Sequence, residues 1–135
     1  MLNVLVIDDT KSVHAFVRNM LQKAPQVTNQ HSPSVIMTSV YNGQEALDLL
    51  NSGKSFDLIF LDWEMPILDG PSTFAEFNKQ GIKIPTIMMT TKNTFEDISK
   101  MLGMGVSEYL MKPFTIDILF EKINSVTGQD VPYVA

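Results

Sequence analysis

Asp62 closes an apolar run, Phe56-Asp57-Leu58-Ile59-Phe60-Leu61, and opens onto Trp63-Glu64-Met65-Pro66. Asp8 and Asp9 close a second run of the same kind, Leu2-Asn3-Val4-Leu5-Val6-Ile7. A carboxylate at the tip of a buried strand loses hydration, so it needs a partner. Like charges repel by roughly 4 kcal/mol at about 4 Å and an effective dielectric of about 20, so acids gathered at two strand tips need a cation or bound protons. Mg²⁺ suits this need: it takes hard oxygen ligands, keeps several waters and joins one or two carboxylates to a phosphate. Two further groups complete such a site. Thr90 and Thr91 follow the run that ends in Met88-Met89, and Lys112 follows the run that ends in Leu110. A lysine supplies a point charge for a phosphoryl oxygen, and a threonine hydroxyl supplies a donor. A carboxylate held in this company can itself be a nucleophile and form an acyl phosphate.

These residues act together only if the chain brings the strand ends to one place. Five short apolar, β-branched runs, Leu2 to Ile7, Val35 to Tyr41, Leu58 to Leu61, Thr86 to Met89 and Val106 to Leu110, predict strands. Helical spacing separates them: Phe16, Val17, Met20 and Leu21; Ala46, Leu47, Leu49 and Leu50; Phe74 and Phe77; Ile98, Met101 and Leu102; Ile116, Leu119, Phe120 and Ile123. Strands alternating with helices indicate an α/β fold, a parallel sheet covered on both faces. In such sheets ligands bind beyond the carboxyl ends of the strands, and the polar residues singled out above fall at that edge. Asn42-Gly43 and Asp69-Gly70-Pro71 mark helix starts, and Gly81 and Gly103 mark helix ends. The polar, proline-bearing stretch from Ala24 to Pro33 reads as a loop, and 128–135 as a loose tail or linker stub after a domain spanning 1–127.

Composition narrows the field. A chain of 135 residues with 44% hydrophobic content supports one well-buried core. A formal charge of −5 without a block of Lys and Arg argues against direct nucleic-acid binding. With no cysteine there is no disulfide framework and no thiolate metal site. The first residues lack a signal-peptide pattern and no apolar run reaches a membrane-spanning length, so the expectation is no membrane insertion and a cytoplasmic location.

Taken in order, Asp8-Asp9, Asp62-Trp63-Glu64-Met65-Pro66 with Asp69-Gly70, Met88-Met89-Thr90 and Tyr109-Leu110-Met111-Lys112-Pro113-Phe114 resemble the receiver domain of two-component response regulators, the CheY-like family. The resemblance runs from Leu2 to about Val126. It implies a flavodoxin-like (βα)5 three-layer sandwich with a five-stranded parallel sheet in the order 2-1-3-4-5. It implies that Asp62 accepts a phosphoryl group from a histidine kinase or phosphotransfer protein, with Lys112 and Thr90 contacting that group. Mg²⁺ would be held by Asp9, Asp62 and the backbone carbonyl of Glu64, with Asp8 acting largely through water. Thr90 and Tyr109 would form the switch, and a downstream protein would read the face built from the fourth helix, fifth strand and fifth helix. The Lys112-Pro113 bond would be cis. Such a chain is not an enzyme with a separate substrate: its chemistry is its own phosphorylation and dephosphorylation. Glu64 and Thr91, near the path of a hydrolytic water, are expected to tune the lifetime of the phosphoryl group.

Plainer readings stand beside these. The aspartates could be helix caps, Lys112 a surface lysine, Thr90 a β-branched strand end and Tyr109 a half-buried packing residue. His14 and His31 have no ligand-spaced partner and read as structural or exposed. Val13 divides between core packing and contact with a kinase or phosphotransfer helix, and the methionines read as gap-filling core. A phosphohydrolase would want its nucleophile on the first strand with a second acid two residues on, which Asp8-Asp9-Thr10 lacks. A flavin module would want a Gly- or hydroxyl-rich phosphate cradle where Asp9-Thr10-Lys11-Ser12 stands. Output must come through a protein contact, unless the chain is a piece of a longer regulator.

Overall fold

A computed structural model describes residues 2–24 and 35–133. The loop expected between Ala24 and Pro33 and His31 lie outside the described residues, Ala24 itself excepted. Five strands, β1 (Leu2–Ile7), β2 (Val35–Val40), β3 (Leu58–Asp62), β4 (Thr86–Thr90) and β5 (Glu108–Met111), alternate with five helices. These are α1 (Lys11–Leu21), α2 (Gly43–Asn51), α3 (Gly70–Lys79), α4 (Phe95–Gly103) and α5 (Ile116–Thr127). All four strand pairings are parallel, in the order β2-β1-β3-β4-β5. The order reverses beside β1, so the carboxyl ends of β1 and β3 flank the crevice where α/β sheets hold ligands.

Strand pleat decides which helix each side chain meets. Val4, Val6, Leu58, Phe60, Ile87 and Met89 face Val17 and Leu21 of α1 and Leu119, Phe120 and Ile123 of α5. Their neighbours Leu5, Ile7, Ile59, Leu61 and Met88 face Ala46 of α2, Phe74 and Phe77 of α3 and Met101 of α4. Because both faces are covered, the central strands show no polar alternation. Each fully buried Leu, Ile or Phe contributes roughly 1.5–3 kcal/mol relative to exposure, so the sheet is a firm base for what its edge carries.

The helices start where local chemistry allows. Side chains of Asn42, Asp69, Thr94 and Thr115 accept the backbone N–H of Glu45, Ser72, Asp97 and Ile118, capping α2 to α5. The β5 boundary differs from the sequence expectation. Val106 is buried but lies before the strand, because Gly105 turns the chain at φ 103° and the first ladder partner is Glu108, opposite Ile87.

Residues 128–133, within the stretch expected to be a loose tail or linker stub, pack back on the core. Gly128 caps α5 in the left-handed region at φ 70°, which turns the chain back along the helix. Val131 is 1% exposed, and its N–H donates to the Asn124 side chain at 2.9 Å. Tyr133 stacks on Phe120 with ring centroids 4.5 Å apart and donates its phenol proton to Asp117. Residues 128–133 are irregular in backbone yet fastened to the α5 side of the core.

Candidate functional site

Four strand ends deliver the polar residues to one cleft. Asp8 and Asp9 stand just beyond β1, Asp62 ends β3, Thr90 ends β4 and Lys112 follows β5. Asp62 and Thr90 are fixed by the ladder itself: Asp62 lies opposite Met89, and Thr90 opposite Met111. One oxygen from each of Asp8, Asp9 and Asp62 lies within 4.8 Å of the others. The Lys112 ammonium bridges two of them, at 3.1 Å from Asp8 and 2.9 Å from Asp62. Asp9 remains exposed at the mouth. The cleft, about 200 Å³, is walled by Asp9, Asp62, Trp63, Glu64, Thr90 and Lys112 among others.

Electrostatics follow from the crowding. Burial pushes the Asp62 carboxyl up to about 6; the Lys112 hydrogen bond opposes this and the Asp8 charge adds to it. Burial alone would lower Lys112, but its hydrogen bond and charge interactions with Asp62 and Asp8 outweigh burial and raise it. The Lys112 ammonium is therefore firmly charged, and three acids facing one ammonium leave an excess of negative charge. A divalent cation with hard oxygen preference fits that excess.

Each acid is oriented by its surroundings. The Thr10 N–H donates to Asp8 Oδ1 at 2.8 Å while Lys112 donates to Oδ2, so neither oxygen of this fully buried carboxylate is idle. Thr90 Oγ1 accepts the Lys92 N–H at 2.8 Å and keeps its own proton. Gly70 supports Asp62 from behind: its N–H donates to the Trp63 carbonyl at 2.8 Å. A Cβ there would stand 2.4 Å from the Asp62 carbonyl oxygen, so only glycine lets α3 approach so closely. The intervening turn carries Ile67 at φ 71°, with the Leu68 N–H donating to the Pro66 carbonyl at 2.8 Å. A β-branched residue rarely accepts that conformation, so the turn beside the site holds backbone strain.

The remaining candidates take their places around this centre. Glu64 is exposed and pairs with Lys92 at 3.4 Å, while the same ammonium lies 5.6 Å from the Trp63 ring centroid. Lys92 was not singled out by sequence, because nothing in its spacing links it to Glu64. Thr91 is exposed at the rim. Tyr109 is half-buried on β5, with the Lys122 ammonium 4.8 Å from its ring centroid and that lysine paired to Glu108 at 3.3 Å. The Lys112-Pro113 bond is cis. Val13 packs partly on the α1–α5 core and also lines an apolar hollow of about 400 Å³ with Phe16, Pro113 and Phe114, beside Lys112. His14 is buried, with both ring nitrogens in hydrogen bonds.

Comparison with known proteins agrees with this fold. The family model of the response regulator receiver domain matches residues 4–124. A chemotaxis protein CheY homolog of Campylobacter jejuni is 30% identical over 129 residues, covering 94% of this chain and 93% of that one. The receiver domain of Francisella response regulator 1452 superposes with a TM-score of 0.82 at 32% identity, covering 95% of this chain and 98% of that one. The receiver domain of a sensor histidine kinase from Pseudomonas aeruginosa, which has a magnesium ion coordinated in its active-site cleft, shares the fold with a TM-score of 0.78 at 24% identity, over 95% and 98% of the two chains.

Proposed function

The chain belongs to the receiver-domain family of response regulators, phosphoacceptors of two-component signalling, and we propose that Asp62 is its phosphoacceptor. The observation that supports this is the Lys112 ammonium shared between Asp62 and Asp8 at the bottom of an acidic cleft. With a carboxyl at about 6, Asp62 is ionised at neutral pH and able to attack. A carboxylate oxygen of Asp62 forms a bond to the phosphorus of a phosphohistidine, and the phosphorus–nitrogen bond breaks. The imidazole leaves and takes up a proton. Lys112 holds a phosphoryl oxygen by charge, and the free proton of Thr90 donates to another.

Asp8, Asp9 and Asp62, whose hard oxygens cluster, are the groups that would hold Mg²⁺, joined by the Glu64 carbonyl. When bound, the ion neutralises the charge gathered by the acids and the phosphoryl oxygens. The donor protein's helix would seat on the apolar hollow formed by Val13, Phe16, Pro113 and Phe114, which opens beside Lys112. After transfer, Thr90 moves toward the phosphoryl group and Tyr109 turns inward from beneath Lys122. The face of α4, β5 and α5 thus shifts between two pre-existing states, and a partner protein reads the shift. The chain's own chemistry is limited to gaining and losing this group, and Glu64, paired with Lys92 at the cleft mouth, tunes how long it stays.

Incubation with Mg²⁺ and a small phosphodonor should add one phosphoryl group by intact mass, and Asp62→Asn should abolish it. Addition that persists unchanged in Asp62→Asn removes the assignment.

A further inference from the structure

His14 lies on the buried side of α1 with Val17 and Leu21, and is itself 3% exposed. Its Nε2 is 2.7 Å from the backbone carbonyl of Asp8, and its Nδ1 is 2.9 Å from Ser39 Oγ on β2. A carbonyl only accepts, so Nε2 carries a proton and donates it. Ser39 Oγ in turn accepts from the Arg18 guanidinium at 3.1 Å, and a guanidinium only donates. The Ser39 hydroxyl keeps its own proton and can give it to a bare Nδ1. In the neutral ring the Asp8 carbonyl selects the Nε2–H tautomer, which Ser39, backed by Arg18, can complement at Nδ1. The Tyr41 ring lies against the imidazole at a centroid distance of 4.5 Å and fixes its plane.

We propose that His14 is a positioning residue for the cation site: by donating to the Asp8 carbonyl it pins the turn after β1, and so aims the Asp8 and Asp9 carboxylates at the cleft. The Asp8 carboxylate is held by Thr10 and Lys112, but both of those contacts act on side-chain oxygens. The His14 bond acts on the main chain between the strand and Asp9. Partners of this type, one bond removed from the ion, hold its ligands in register. The inference rests on the reading of Asp8, Asp9 and Asp62 as Mg²⁺ ligands.

Two substitutions separate positioning from packing. In His14→Gln the amide nitrogen reaches the place of Nε2 and keeps the donor to Asp8. In His14→Asn the amide reaches only the place of Nδ1, where its oxygen can accept from Ser39, and the Asp8 contact is lost. Calorimetric titration of the full chain with MgCl₂ should show His14→Asn binding about tenfold or more weaker and His14→Gln within about threefold of the parent. Equal behaviour of the two variants, whether both bind as the parent or both are equally weakened, overturns the proposal. Asp9→Ala, titrated alongside, separates the premises: parent-like binding there overturns the cation reading itself. A second readout needs no variant to fold. In the metal-free parent, long-range ¹H–¹⁵N spectra should show a protonated Nε2 for His14, and an unprotonated Nε2 overturns the proposal.

Discussion

At Asp62 burial, joined by the Asp8 charge, opposes the Lys112 hydrogen bond, and the balance has a measurable consequence. Its carboxyl is held at about 6 in the folded chain against an ordinary 3.8. Between those values the folded state binds more protons than the unfolded one, so this group's contribution to stability falls as pH rises from about 4 to about 6 and is level above. The shift corresponds to on the order of 3 kcal/mol. Asp62→Asn removes the penalty: in metal-free protein, its stability relative to the parent should be greater at pH 8 than at pH 4. Urea unfolding at the two values checks this, and a pH-independent difference contradicts it. At this scale the sequence was informative where a charge ended an apolar run, because that placement is too unfavourable to be idle. Asp8, Asp9, Asp62 and Lys112 were found that way. His14 was not, since its partners are a main-chain carbonyl and a serine 25 positions away, and neither leaves a pattern in the chain.

The elements matter through how closely they approach. α3 begins directly behind Asp62, and the absence of a side chain at Gly70 sets that distance. In Gly70→Ala the added methyl would meet the Asp62 carbonyl oxygen at 2.4 Å and Trp63 Cα at 2.8 Å, both backbone atoms that cannot swing aside. The expected result is a stability loss of about 1–3 kcal/mol, with slower phosphorylation from a small donor because Asp62 is displaced. Unchanged unfolding and phosphorylation rates would show that α3 yields freely. Apolar runs and helical spacing sufficed to place the five strands and five helices, since both faces of the sheet are buried. The start of β5 did not follow from hydrophobicity: Val106 packs into the core from the preceding loop, and burial alone does not distinguish a loop residue from a strand residue.

At the scale of the whole molecule, the fold is a parallel sheet whose carboxyl edge holds the acidic cleft and whose α5 side is covered by residues 128–133. That closure was hidden in the sequence, because Gly128, Gln129, Asp130 and Pro132 read as a polar linker and only Val131 and Tyr133 carry the packing. Val131→Ala should lower stability by about 2 kcal/mol through lost burial and an incompletely collapsed cavity. Thermal unfolding checks it; a parent-like midpoint would mean that the segment contributes nothing. The site stands apart from this strap, and its central claim is a covalent bond at one residue. Borohydride reduces an acyl phosphate on aspartate to homoserine, which peptide mass spectrometry locates. After phosphorylation in Mg²⁺ and reductive trapping, homoserine should appear at position 62 alone; its appearance at position 8 or 9, or its absence from 62 in phosphorylated protein, would contradict the account.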